Sequence, residues 1–177
     1  MNELFVPIDE EEMLSVLSDY LDDNDKVYPL SCKGCEKVIN IIIDLASYEN
    51  EGLRIADIQE EYSGKRGNDG HLKSLDTHLR HLLSDGFIGD PEGKEDLFIG
   101  FVNVFKLWDY LLTTFPDFIE LNKNYKCPYC GSSVYMITSE STTDENGSII
   151  VDQTEQIEIC IGKGHFYKRL IQEIKRY

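Results

Sequence analysis

Apolar residues recur at helical spacing in five separate stretches of the chain. The spacing predicts helices over residues 9–21, 36–48, 54–62, 71–84 and 104–115. The second stretch is apolar on most sides, which is typical of a helix buried in a core. The first opens with acidic residues and predicts an acidic amphipathic helix. The first two thirds of the chain are therefore expected to be mainly helical.

Short apolar runs between polar turns predict two β-hairpins. Strands are expected over 87–90 and 97–104, because the residues between them are proline, glycine and charged side chains. Two longer strands are expected over 134–141 and 148–161, because the Asn-Gly pair at 146–147 is a strong hairpin signal. Helices and hairpins together predict an α+β fold.

Three helices followed by a short hairpin and a further helix resemble the winged helix-turn-helix layout. The run LDTHLRHLLSDGFIGD at 75–90 is similar to the recognition helix and first wing strand of ArsR-type and MarR-type regulators. The resemblance covers about residues 34–115. It implies a domain that reads DNA, although the same layout also binds other proteins.

The charge of the chain is unevenly distributed. A formal net charge of -16 argues against binding nucleic acid over a broad surface. Residues 1–62 hold 16 acidic and 4 basic residues, whereas residues 63–82 hold four Lys or Arg against two Asp. This locally positive segment contains the recognition-like helix, so it favours contact with an anionic partner.

The residues expected to contact DNA are polar or basic side chains of this segment, because such groups reach base edges and phosphates. They are Lys65, Arg66, Lys73, Ser74, Thr77, Arg80 and His81. The alternative is that they form only the solvated face of an amphipathic helix, which requires no partner.

Two cysteines separated by two residues mark a candidate metal site. Cys127 and Cys130 stand in the sequence CPYCG, a turn that directs both thiols to one point. The predicted hairpin brings its two ends together, which would deliver Cys160 and His165 to the same point. The sequence therefore predicts a Zn²⁺ site with these four ligands. Four protein ligands leave no open position for water or substrate, so the site is expected to be structural.

The residues after this hairpin predict a last helix over 165–177. Its inward side would consist of Phe166, Leu170, Ile171 and Ile174. A cysteine knuckle, a hairpin and a last ligand near a helix start resemble zinc-ribbon and treble-clef modules, over about residues 125–177. Cys160 and His165 depart from the paired-cysteine pattern of those modules.

The role of Cys32 and Cys35, in the sequence SCKGC, stays open. They could form a second site, or replace Cys160 and His165 in a four-cysteine site, or be two small thiols at a helix start. Three histidines share one predicted helix, His71, His78 and His81. The sequence places no thiol or carboxylate beside them, so a solvated or phosphate-contacting role is expected.

The expected class is a DNA-binding transcription regulator with a structural zinc site. Its modules are an acidic N-terminal helix (1–29), a winged helix domain (30–116) and a zinc-binding module (117–177). The order resembles that of the archaeal transcription factor E family, which implies DNA and the transcription machinery as partners. The alternative is a protein–protein interaction adaptor that binds no nucleic acid. A homodimer is compatible with either.

Catalysis and membrane insertion are not expected from the sequence. It contains no nucleophile elbow, no Walker-type phosphate loop and no His-Glu-x-x-His motif, so an enzyme is not expected. The N-terminus lacks the basic start and apolar run of a secretory signal, and no window reaches the roughly 18 apolar residues of a membrane span. A cytoplasmic protein without membrane contact is expected.

Overall fold

The computed structural model describes residues 2–48, 53–63, 70–89, 98–99, 102–160 and 162–177. Contacts divide the chain into a helical unit, Glu10–Leu111, and a sheet unit, Met1–Asp9 with Leu112–Tyr177. Helices and strands are both present, as the α+β prediction requires. Among the described helices, none has the length and apolar content needed to cross a lipid bilayer.

The elements in chain order are β1 (Asn2–Pro7), α1 (Glu10–Asp23), α2 (Lys33–Tyr48), β2 (Leu53–Arg54), α3 (Ile55–Ser63), α4 (Gly70–Ser84), β3 (Phe98–Ile99), α5 (Val104–Thr114), β4 (Leu121–Lys126), β5 (Ser133–Asn146), β6 (Ile149–Cys160) and β7 (Phe166–Arg176). The five predicted helices are confirmed as α1 to α5. Their apolar stripes were sufficient to place them because each packs one side into a core.

The helical unit is built around α2 and α5. Fully buried side chains line both helices, namely Val38, Ile39, Ile42, Leu107 and Trp108. The indole nitrogen of Trp108 donates to the Met13 carbonyl at 3.3 Å, and the Tyr28 hydroxyl donates to the Leu107 carbonyl at 2.6 Å. These bonds satisfy polar groups inside the core and tie α5 to the segments that precede α2.

A small β structure completes the helical unit. β2 pairs antiparallel with β3, and Ile88 forms a single bridge with Val102. The bridge joins the two segments that were predicted as short strands after α4. The turn predicted between them, residues 91–96, lies outside the described residues.

The sheet unit is a five-stranded antiparallel sheet in the order β1-β7-β6-β5-β4. β5 and β6 form the long hairpin that the sequence predicted, and Gly147 in its turn has a φ of 65°. Glycine adopts this left-handed conformation without the steric cost that a side chain would add.

The helix predicted over 165–177 is a strand, so this prediction was wrong. β7 pairs with β6 on one side and with β1 on the other. Its inward residues alternate, with Tyr167 0% and Arg169 3% exposed. Apolar residues on both faces of β7 produced a spacing that resembles a helix, and pairing along both edges of the strand decides the outcome.

The predicted N-terminal segment, residues 1–29, is divided in the structure. Its first residues form β1, in which Asn2 lies opposite Gln172 and Pro7 opposite Tyr167. Phe5 makes an edge-on contact with Tyr167, with ring centroids 6.1 Å apart. This aromatic contact and the strand pairing place β1 in the sheet, and α1 begins only at Glu10.

Candidate metal centre

The first half of the candidate centre is the turn between β4 and β5. The amide of Gly131 donates to the Cys127 carbonyl at 2.8 Å, and the amide of Cys127 donates to the Ser132 carbonyl at 2.9 Å. Gly131 has a φ of 73°, which lets the chain turn sharply after the second cysteine. The turn holds the thiols of Cys127 and Cys130 on one side, as the CPYCG sequence predicted.

The second half is the turn between β6 and β7. The amide of Cys160 donates to the His165 carbonyl at 3.1 Å, and the amide of His165 donates back to Cys160 Sγ at 3.1 Å. Amide donors to a sulfur stabilise the thiolate form, which is the form that binds metals. Because β5 and β6 form one hairpin, this turn lies beside the first.

The four side chains come together with the spacing that a metal ion requires. Cys127 Sγ lies 3.5 Å and Cys160 Sγ 3.4 Å from His165 Nδ1, and the sulfurs of Cys130 and Cys160 are 3.9 Å apart. Around a tetrahedral ion with bonds of about 2.3 Å to sulfur and about 2.0 Å to nitrogen, ligands lie about 3.8 Å apart for two sulfurs and about 3.5 Å for sulfur and nitrogen. The residues therefore form a group that can hold a metal ion.

Two of the four ligands lie in apolar surroundings, whereas Cys130 and His165 are half-buried. Cys127 and Cys160 are 3% and 2% exposed, and they belong to one hydrophobic cluster with Val134 and Tyr167. The ring of Tyr129 lies 5.3 Å from the ring of His165. A metal ion held here would be an integral part of the core of the sheet unit.

Neighbouring groups tune the thiols differently. The Ser132 side chain and amide form hydrogen bonds that lower the pKa of Cys130 to about 6, so this thiol ionises below neutral pH. Burial is the largest influence on Cys127 and raises its pKa. An ion entering the group would therefore meet a thiolate at Cys130 and would displace the proton from Cys127.

A buried ion pair supports the turn from behind. Arg169 Nε donates to both carboxylate oxygens of Glu158, at 3.0 and 3.2 Å, and its Nη2 donates to the carbonyl of Lys126 at 2.8 Å. Glu158 also accepts a bond from Asn122 Nδ2 at 3.0 Å. Lys126 directly precedes Cys127, so the pair fixes the backbone that carries the first thiol.

The residues predicted to contact DNA are placed in several environments. Lys65 and Arg66 lie outside the described residues, and Lys73 lies in the first turn of α4. Thr77 and Arg80 are exposed on α4, and Arg80 Nε pairs with Asp76 at 3.0 Å.

Ser74 and His81, also predicted to contact DNA, face a different neighbourhood. Ser74 Oγ accepts a bond from the Tyr62 hydroxyl at 3.2 Å, and His81 Nδ1 lies 3.8 Å from Cys35 Sγ. Cys32, Cys35 and His78 form a second group of possible metal ligands. The sequence signals for it were the second C-x-x-C pair and two histidines three residues apart, but their proximity depends on how α2 and α4 pack.

Comparison with known proteins gives no relative: no protein-family model, no curated protein and no solved structure matches the chain.

Proposed function

We propose that the chain is a DNA-binding transcription regulator of the winged-helix type, with a structural Zn²⁺ in its sheet unit. The observation that carries the proposal is the order and pairing within the helical unit. Three helices, α2 to α4, are followed by an antiparallel bridge and by β3. A helix-turn-helix domain with a wing requires this order, and α4 would be its recognition helix.

The outer side of α4 supports this role. Thr77 and Arg80 are exposed, and they are the short polar and basic groups that base edges and phosphates accept. The ion pair of Arg80 with Asp76 is at the surface, with exposed fractions of 77% and 63%. Such pairs contribute about 0–1 kcal/mol, so the guanidinium can leave Asp76 for a phosphate at little cost.

The zinc part of the proposal rests on the donor set of the sheet unit. Three thiols and one imidazole are the ligands that Zn²⁺ prefers, and Cys127, Cys130, Cys160 and His165 fill a tetrahedral shell. A filled shell has no room for substrate, so the ion would stabilise the fold and would not act on a substrate.

DNA binding is tested by fluorescence anisotropy of a labelled duplex pool of mixed sequence over a salt series. Affinity is expected to fall steeply with salt, and Arg80→Ala should reduce the salt slope by about one phosphate contact. Arg176→Ala removes the same charge from an exposed position in β7 and is the matched control.

Absence of binding at low salt would contradict the proposal. The test includes a variant with Glu10→Gln and Glu11→Gln, because these exposed acids of α1 could repel DNA. If both the full chain and this variant fail to bind, the helical unit does not bind DNA.

A protein–protein interaction adaptor is the second candidate, and the acidity of α1 favours it. Its first turn carries three glutamates and its last turn no basic residue. Such a surface would attract a basic protein segment. Binding of a Lys/Arg-rich peptide that is weakened in the Glu10→Gln, Glu11→Gln variant, together with no binding to DNA, is the result that would favour the adaptor.

A further inference from the structure

The helical unit contains a second convergence of cysteine and histidine, where the start of α2 meets α4. Cys32 directly precedes α2, Cys35 lies in its first turn, and His78 lies in α4. Ligand atoms of these three residues all lie within 4.8 Å of one another. Cys35 is 5% exposed, whereas Cys32 is at the surface.

The distances match those of a metal shell as well as the sheet group does. His78 Nδ1 lies 3.4 Å from Cys35 Sγ and 3.7 Å from Cys32 Sγ. His81 Nδ1 lies 3.8 Å from Cys35 Sγ, one helical turn further along α4. A tetrahedral shell places sulfur and nitrogen ligands about 3.5 Å apart. His81 is not among the three residues whose ligand atoms all lie within 4.8 Å of one another, so its side chain would have to move toward Cys32 and His78 to complete the set.

The imidazole of His78 is oriented for coordination. Its Nδ1 faces the two thiols, and its Nε2 lies 3.2 Å from Ser74 Oγ. The Tyr62 hydroxyl donates to the same Ser74 oxygen at 3.2 Å. In the tautomer whose Nε2 donates to Ser74 Oγ, the Nδ1 lone pair faces the thiols. Histidines that bind metals are normally held in this way.

Gly34 makes room for that imidazole. A Cβ atom at this position would collide with the His78 ring, so the ring packs directly against the backbone of α2. Glycine is unfavourable in a helix, and its presence between the two cysteines is explained by this close approach.

The start of α2 also prepares Cys32. The Cys32 carbonyl accepts a helical bond from the amide of Glu36 at 2.8 Å, and the amide of Cys35 donates to Cys32 Sγ at 3.5 Å. An amide donor to a sulfur stabilises the thiolate form, which is the form that binds metals.

Ordinary hydrogen bonding does not account for the convergence. A single ring nitrogen of a neutral imidazole forms one hydrogen bond, as donor or as acceptor. His78 Nδ1 nevertheless lies within 3.7 Å of two thiols, and one of them also faces His81. A cation between these atoms satisfies all of them at once.

We propose that Cys32, Cys35, His78 and His81 bind a second divalent ion of the zinc type, which joins α2 to α4. With the sheet group, the two sites use all five cysteines of the chain and three of its four histidines. Each site then has four protein ligands. The second site does not depend on DNA binding and extends the single zinc site proposed above.

Metal content of the full chain, purified with zinc and analysed by mass spectrometry, is the direct test. Two ions per chain are expected, and one ion at saturating zinc would overturn the proposal. X-ray absorption at the zinc edge needs no variant. It should show five sulfur and three nitrogen ligands for two ions. A single ion in the sheet group would show three sulfur ligands and one nitrogen ligand.

Variants then assign the second ion. The double variant Cys32→Ser, Cys35→Ser should lower the metal content to one ion per chain. When cobalt replaces zinc in this variant, the absorption spectrum should be that of a site with three thiolate ligands. Ser84→Ala, an exposed change on the same helix, is the control and should retain two. If the double cysteine variant still binds two ions, the assignment is wrong.

Graded variants test the individual ligands. His81→Ala should weaken the second ion by at least tenfold in a chelator competition, and an unchanged affinity would remove His81 from the ligand set. Gly34→Ala should also weaken the second ion, because the added methyl pushes His78 away from the thiols, while the first ion stays bound. An unchanged affinity for the second ion in Gly34→Ala would contradict the geometry proposed for His78.

Discussion

The two Cys/His groups share donor chemistry but differ in what holds them. In the sheet unit, hairpin pairing brings two turns together, and Cys127 and Cys160 are almost fully buried. In the helical unit, packing of α4 against the start of α2 brings the donors together, and Cys32 and His81 are exposed. The sheet group, with Cys130 and His165 half-buried, therefore lies at the edge of a core, whereas the helical group lies nearer the surface.

This difference should appear in energetics and in exchange. A metal ion in the sheet group would link side chains within the core of that unit, so the unit is expected to unfold when the ion is lost. A cavity of about 380 Å³ adjoins the helical group and is lined by Cys32, Cys35 and His81. Solvent and small chelators can reach this group without unfolding, so its metal should exchange more readily.

The largest effect is expected from Cys127→Ser. It removes a buried ligand, so the sheet unit should lose its ion and unfold while the helical unit stays folded. Metal analysis and two-dimensional NMR of the full chain check both parts. Unchanged metal content would refute the assignment of Cys127, and loss of signals throughout the helical unit would show that the two groups are not independent.

A large effect is also expected from Arg169→Met. The change leaves Glu158 buried without its cation and should lower the free energy of unfolding of the sheet unit by about 3–5 kcal/mol. Urea unfolding followed by NMR signals of β5 and β6 measures it.

Lys175→Met is the matched control for Arg169→Met. The pair of Lys175 with Asp152 spans the same two strands, but both side chains are partly exposed, at 45% and 35%. A cost well below that of Arg169→Met is expected, because exposed ion pairs contribute little to stability. Equal costs for the two variants would show that burial does not distinguish the ion pairs.

A moderate effect is expected when the zinc-loaded chain is mixed with a chromogenic chelator. Release should occur in two phases, and the faster one, at least tenfold faster, belongs to the exposed helical group. The variant Cys32→Ser with Cys35→Ser should lack the fast phase. A single slow phase in the unsubstituted chain would contradict the contrast between the groups.

The smallest effect concerns the distal half of the β5–β6 hairpin. Hydrogen bonds from Lys175 and Thr143 lower the pKa of Asp152 below its usual value. The stabilisation is therefore present above the unfolded pKa of about 3.9 and is lost as pH falls through the lower folded pKa. Carboxyl NMR should show the Asp152 pKa rising in Lys175→Met, with both metal ions still bound. An unchanged pKa would show that Lys175 is not its main partner.

Much of this architecture was predictable from local patterns. Helices α1 to α5 follow from apolar spacing, and the Asn146-Gly147 turn and the CPYCG sequence locate the hairpin and its knuckle. These signals come from short stretches of sequence. Pairing along the long hairpin then places Cys160 and His165 beside the cysteine turn. The proximity of the four donors of the sheet group could therefore be predicted from the sequence.

Features that depend on distant packing were not predictable. β7 resembles a helix in isolation, because its partners β1 and β6 are needed to reveal the alternation of Tyr167 and Arg169. His78 lies 43 residues from Cys35, and only the packing of α4 on α2 makes them neighbours. The close approach of His78 to Gly34 is likewise visible only in the structure.

The pairing of β1 with β7 has a consequence for biosynthesis. β1 is synthesised before helices α1 to α5, whereas its partner β7 is synthesised after them. The helical unit, Glu10–Leu111, is complete in between and can fold while synthesis continues. β1 cannot pair with β7 until β7 has been synthesised, so this edge of the sheet is expected to close after the helical unit has folded.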